Sequence, residues 1–271
     1  MLTLSTLESS AAIALGRYAW VAGAAFLAGV LNAIAGGGSF FSFPALLALH
    51  LPPINANATN TVALWPGQLT SGVAFRRELA GIRHLLIPTI IAAAVGGVAG
   101  AEVLLYTNQN TFMHLVPWLL MFGTLLFAAS GLVRGWLERI RKRRFGAARK
   151  NGVPWALMVC MTLACFYVGY FGAGAGFLII SVLSVFSNLE SVHEMNALKV
   201  LATLFANGVA VVTFLMARAI FWREGLIMTG FAAAGGYFGA AYSLKLPQKS
   251  VRAFVIVGGF AISIYYFFKV Y

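Results

Sequence analysis

Charge is what this chain is short of. Only 10% of its 271 residues are charged and only seven are acidic, against about 25% charged in an ordinary soluble domain. With 61% hydrophobic residues and a mean hydropathy of +0.86, a water-soluble globule is excluded. Cysteine is scarce too. Cys160 and Cys165 sit in one apolar run; two thiols at this spacing build neither a disulfide framework nor a common zinc site, and read as buried small hydrophobes. His50, His84 and His114 stand singly, without metal-ligand spacing, so no metal site or cofactor is expected. There is no nucleotide loop, no nucleophile–base constellation and no carboxylate pair deep in a helix, which argues against an enzyme. The first ten residues hold Glu8 and no Lys or Arg, the opposite of the basic start of a cleavable signal.

What is present is a series of long apolar runs. They are about twice the length of outer-membrane barrel strands and do not alternate, so the chain reads as an all-α polytopic membrane protein. The formal charge of +12 would suggest nucleic acid in a soluble protein. Here the cations cluster between apolar runs, where topology and anionic lipid headgroups account for them. Nucleic acid is not an expected partner.

Residues 1–17 read as an N-terminal segment. Tyr18 to Leu49 is then a 32-residue stretch whose strongly polar members are Asn32, Ser39 and Ser42. As one helix it would be about 48 Å long, against a hydrocarbon core of about 30 Å. Inside it lies Ala35-Gly36-Gly37-Gly38-Ser39, followed by Pro44. Consecutive glycines cost a helix backbone entropy and proline removes a donor, so the segment is expected to break there. Helices follow from Asn57 to Phe75, from Arg83 to about Tyr106 and from Phe112 to Val133. The next segment, 134–152, carries eight cations against the single acid Glu138 and is expected to be a cytoplasmic linker.

The second half, 153–271, repeats the plan of 18–133. A long apolar stretch is broken at Gly172-Ala173-Gly174-Ala175-Gly176, and three further helices follow. Asn60 falls on Asn196, Ser71-Gly72-Val73-Ala74 on Asn207-Gly208-Val209-Ala210, and Gly96-Gly97 on Gly235-Gly236. The expectation is two homologous repeats of about four helical segments each, about 8 transmembrane helices in all. Each broken segment can supply two short pieces meeting at a glycine turn, which favours inverted repeats over parallel ones. Paired Gly-interrupted segments point to a transporter's binding site.

Polar stripes flank both breaks. Asn57, Asn60, Thr61, Gln68 and Ser71 share one helix face; Asn196, Lys199, Thr203 and Asn207 share another. They can line a central cavity, or simply hold the bundle together by interhelical hydrogen bonds. Lys199 is the sharpest of them. An intramembrane cation is expensive and faces a cavity or a partner; if the substrate is an anion, Lys199 is its counter-charge, and otherwise it snorkels or pairs with Glu194 or Glu190. The substrate-contact candidates are Asn32, Gly36, Gly37, Gly38, Ser39, Asn60, Thr61, Gly172, Gly174, Gly176, Asn196, Lys199 and Asn207. Glu102, His193 and Glu194 are candidates for proton coupling, each close to a helix end.

Ala28-Gly29-Val30-Leu31-Asn32-Ala33-Ile34-Ala35-Gly36-Gly37-Gly38-Ser39, then Phe43-Pro44-Ala45-Leu46-Leu47, Pro52-Pro53 and Ala58-Thr59-Asn60-Thr61, resembles the first repeat of the sulfite exporter TauE/SafE family. Gly172-Ala173-Gly174-Ala175-Gly176-Phe177 and Met195-Asn196-Ala197 resemble the second. Ser181 stands where the family's second repeat would carry proline. The resemblance implies a bacterial cytoplasmic-membrane transporter of small sulfur-containing anions such as sulfite or organosulfonates, often an exporter. Its partners would be the anion and membrane lipid, and a homo-oligomer is compatible with it. The rival reading is a membrane-embedded enzyme or lipid-handling protein acting on anionic headgroups; it would gather polar residues near one interface.

Overall fold

The computed structural model describes residues 4–34, 37–144, 154–187, 189, 191–242 and 248–271. Of the residues singled out above, Gly36 and Glu190 lie outside this set, as does the part of the basic linker from 145 to 152. The described residues form α1 (Leu4–Ile34), α2 (Ser39–Ala48), α3 (Pro53–Ala74), α4 (Arg76–Gly81), α5 (Arg83–Tyr106), α6 (Gln109–Arg144), α7 (Trp155–Tyr170), α8 (Ala175–Phe186), α9 (Val192–Met216), α10 (Trp222–Tyr242) and α11 (Gln248–Val270). No strand occurs among them. Among the described residues five spans are long and apolar enough to cross a bilayer: Leu15–Ile34, Arg83–Tyr106, Gln109–Ala129, His193–Met216 and Ser250–Val270. The apolar α2, α7 and α8 are shorter.

Both long stretches break where the glycines stand. Gly37 takes φ +88°, a left-handed conformation that costs glycine nothing. After it the chain doubles back. Gly38 lies against the carbonyl of Ala28, and at the far end of α2 an Arg17 guanidinium nitrogen donates to Leu49 O at 3.0 Å. The α1–α2 unit is therefore a hairpin, and the same reversal occurs between α7 and α8. There Gly172 and Gly174 have φ +77° and +74°, and the Tyr167 hydroxyl clasps the turn by donating to Ala173 O at 2.8 Å.

Loop contacts show which ends lie together. Ile54 N donates to Gln109 Oε1 at 2.9 Å, Gln109 Nε2 to Asn55 Oδ1 at 3.1 Å, and Asn55 Nδ2 to Ala219 O at 2.9 Å. The ends of the α1–α2 hairpin, the α5–α6 turn and the C-terminus of α9 thus share one face. Tyr271 joins them through its hydroxyl, which donates to His114 O at 3.2 Å. The opposite face gathers Ile82, Leu85, Leu157, Leu189 and Met195 in one apolar cluster. That face holds the start of α5, the open end of the α7–α8 hairpin and the start of α9. The two hairpins enter from opposite faces.

Helix pairing crosses between the halves. α1 packs most extensively on α10, and α5 on α7. Glycines make both contacts close. Gly29 meets the backbone of Ala232, Gly235 that of Phe26 and Gly239 that of Val30; in the other pair Gly96 meets Thr162, Gly100 meets Phe166 and Gly169 meets Gly97. In lipid, where burying apolar surface drives little, such backbone-to-backbone approach is what holds helices together.

Two elements differ from the sequence expectation. The basic stretch 76–81 is the short helix α4, a turn and a half too brief and too charged to show as an apolar run. α6 does not stop at Val133 but continues to Arg144. Arg, Lys, Leu and Glu are strong helix formers and outweigh the single Gly135 between 134 and 144, so the hydrophobic run ends before the helix does.

Candidate functional site

At the first break Asn32 Oδ1 accepts the N–H of Gly38 at 2.8 Å, capping the entry to α2. The next amide, that of Ser39, donates to no described residue. One turn further, Ser42 Oγ donates to Asn60 Oδ1 at 2.6 Å, tying α2 to α3. Ser42 is fully buried and Asn60 is 2% exposed. Thr61 turns its hydroxyl back to Asn57 O at 2.9 Å.

At the second break Gly174 is the left-handed residue before α8. Ala175 N bonds Gly172 O and Phe177 N bonds Gly174 O; the Gly176 N–H between them has no acceptor among the described residues. Across Gly176 runs Lys199 from α9. A β-carbon on Gly176 would sit 3.4 Å from Lys199 Cδ. The Lys199 ammonium makes no hydrogen bond or ion pair with any described residue, and Glu194 does not reach it. A lysine and an uncapped helix N-terminus thus lie side by side, joined by the contact of the lysine stem with Gly176. Both attract anions.

The breaks touch through α6. A β-carbon on Gly123 would lie 2.6 Å from Ala173 O and 3.0 Å from the Phe40 ring. Phe43 stacks edge-on to Phe171 with ring centroids 5.4 Å apart. Gly123 did not stand out in the sequence, and Ser42 was visible only as one of three polar residues of 18–49: a lone glycine in an apolar helix and a serine near a Gly-rich turn carry little signal alone.

The polar stripes of α3 and α9 face each other. Asn207 Nδ2 donates to Gln68 Oε1 at 3.1 Å and Trp65 Nε1 to Leu204 O at 3.0 Å, while Gly208 makes room for the Trp65 ring. Asn207 is thus committed to holding the two helices together in this conformation. Asn196 is half-buried and its side chain bonds to no described residue. Asn60 and Lys199 each lie seven residues into their helices, Pro53–Ala74 and Val192–Met216. At about 1.5 Å per residue that is about 10 Å in from opposite faces, each beside its own break.

Glu102 lines a cleft of about 300 Å³ with Tyr106, Thr213, Met216 and Ala217, at the face where α5 and α9 end. His193 and Glu194 are at the other face, in the first turn of α9, where Ser191 Oγ accepts both their N–H groups. Among the described residues no group of three or more His, Cys, Asp or Glu side chains comes together.

The description "Sulfite exporter TauE/SafE" matches residues 21–266. The chain belongs to the TauE/SafE family. It is 27% identical over 235 residues to the probable membrane transporter protein YfcA of Escherichia coli (strain K12), covering 86% of this chain and 83% of the relative. It is 26% identical over 248 residues to the probable membrane transporter protein ORF9 of Sinorhizobium sp, covering 89% and 88%. A probable membrane transporter protein of Haemophilus influenzae is 26% identical over 235 residues, covering 87% and 88%. No solved structure matches. As a TauE/SafE protein with several bilayer-length apolar helices, it is a multi-pass membrane transporter of a small molecule and not an enzyme.

Proposed function

We propose that this TauE/SafE protein exports a small sulfur-containing anion, sulfite or an organosulfonate, across the cytoplasmic membrane of a bacterium by alternating access around its two breaks. What supports the anion reading above all is Lys199, a cation with no hydrogen-bond or ion-pair partner among the described residues, whose stem packs on Gly176 at the start of α8. The matched relatives are bacterial, and the family's description supplies the export direction and the sulfur chemistry.

The oppositely entering hairpins and the reciprocal packing of α1 on α10 and α5 on α7 support two homologous inverted repeats, 18–133 and 153–271. Arg76, Arg77, Arg83 and the cations of 134–152 favour the cytoplasm for the face that holds α4. The substrate would be held by the backbone of Gly36, Gly37, Gly38 and Ser39 and of Gly172, Gly174 and Gly176, with Asn60 and Asn196 as donors and Lys199 as charge. Asn32 and Asn207 also tie these elements together, and Thr61 stands beside Asn60 as a further contact. Glu102 at one face and His193 with Glu194 at the other suit the two ends of a proton path.

The test is uptake and efflux of sulfite, sulfonates and sulfate in proteoliposomes, with and without a pH gradient. Lys199→Ala should weaken anion binding about 10–100-fold, the cost of losing one or two charge-assisted hydrogen bonds, whereas Lys249→Ala should change little. A folded protein that moves none of these anions overturns the reading. Equal effects of the two substitutions remove Lys199 from the site.

A further inference from the structure

One polar group in the membrane interior has no part in the anion site. Asn57 is 1% exposed. Its Nδ2 donates to Tyr170 O at 3.1 Å, whereas its Oδ1 is buried and accepts no hydrogen bond from any described residue. Tyr170 is the last residue of α7, and the chain there leaves the helix early. The N–H groups of Phe171 and Gly172 both go to Tyr167 O. The carbonyls of Val168 and Gly169 consequently receive no backbone N–H from the residues that follow.

This place therefore has acceptors in surplus and donors in deficit. The C-terminus of α7 contributes unpaired carbonyls and the negative end of its dipole. Asn57 adds a neutral amide oxygen beside it. The residues at this helix end pack on an aromatic neighbour: the Phe112 ring centroid lies 5.8 Å from that of Tyr170 and 6.3 Å from that of Phe171. An anion is repelled by such a donor-poor set. A divalent ion asks for carboxylates, and neither Asn57 nor residues 168–171 supply one. Neutral oxygens at the end of a broken helix suit a hard monovalent cation.

We propose that Asn57 Oδ1 and the C-terminal carbonyls of α7 form a binding site for an alkali-metal cation, sodium or potassium. The site sits on the second break itself. A cation that draws Asn57 against the end of α7 also fixes where the Gly172–Gly174 turn begins, and with it the start of α8 under Lys199. Cation occupancy and anion occupancy would then be linked through one four-residue turn, whichever anion is carried.

The test needs no transported substrate. Thermal unfolding of the purified full-length protein in detergent is followed as sodium or potassium chloride replaces choline chloride, at constant pH and ionic strength. A ligand of the folded state raises the midpoint saturably, so the wild type should respond to an alkali cation and not to choline. Asn57→Ala should weaken the apparent cation affinity about tenfold or more. Asn57→Asp keeps the oxygen, adds a charge and should bind more tightly. Identical midpoints in all three salts for the wild type overturn the proposal and leave the amide oxygen to water. An unaltered response in Asn57→Ala overturns it as well. Should that variant fail to fold, an unchanged affinity in Asn57→Asp does the same.

Discussion

Lys199 Cδ lies where a β-carbon on Gly176 would meet it at 3.4 Å. That separation is an ordinary van der Waals contact, so the lysine stem rests on the glycine without strain. The arrangement uses the missing side chain twice. It leaves space on the first turn of α8, and it gives the long lysine stem a bed there.

Substitution at Gly176 should therefore be graded by size. Gly176→Ala keeps the contact and should leave transport within about twofold of wild type, a change well below 1 kcal/mol. Gly176→Leu fills the space that the lysine occupies. It should lower apparent anion affinity about tenfold or more, while cross-packing elsewhere keeps the unfolding midpoint close to wild type. Transport kinetics in proteoliposomes, read beside thermal unfolding, separate the two effects.

Gly123 is the hinge of contact between the breaks, and its neighbours cannot give way easily. An added β-carbon would press on the carbonyl of Ala173 at 2.6 Å and on the Phe40 ring at 3.0 Å. Gly123→Ala should destabilise the protein by about 1–3 kcal/mol, as overpacking does. Gly67 has nothing within 4 Å, and Gly67→Ala should be neutral or stabilising by up to about 1 kcal/mol through helix propensity alone. A higher midpoint for Gly123→Ala than for Gly67→Ala would contradict the packing described.

The two faces can be told apart by labelling. In a background with Cys160→Ala and Cys165→Ala, Asn108→Cys should react with an impermeant maleimide in intact cells. Arg77→Cys should react only after the membrane is opened. The reverse pattern would turn the protein over in the bilayer and place the cations of 134–152 outside.

The breaks were legible because closely spaced glycines inside an apolar run conflict with a continuous helix, whereas Pro44, counted with them in the sequence, lies inside α2. Their neighbours were less so. The stripe Asn57, Asn60, Thr61, Gln68 and the stripe Asn196, Lys199, Thr203, Asn207 are visible by spacing. Whether they line a cavity or face each other depends on helix crossing and register, which no single stretch encodes. The Gln68–Asn207 bond at 3.1 Å joins residues that only the folded bundle brings together. Gly29 and Gly96 likewise announce a close neighbour without saying which. The unmet oxygen of Asn57 is wholly a product of tertiary structure, since it depends on where α7 happens to stop.

The exchange of helices between halves has a consequence for synthesis. α1 is made long before its main partner, α10, which begins at Trp222. The glycine-lined side of α1 must wait in lipid while most of the chain is inserted. The first hairpin is thus a provisional structure during translation, finished by the last third of the polypeptide. Neither half can mature as an independent unit; each is the other's folding template.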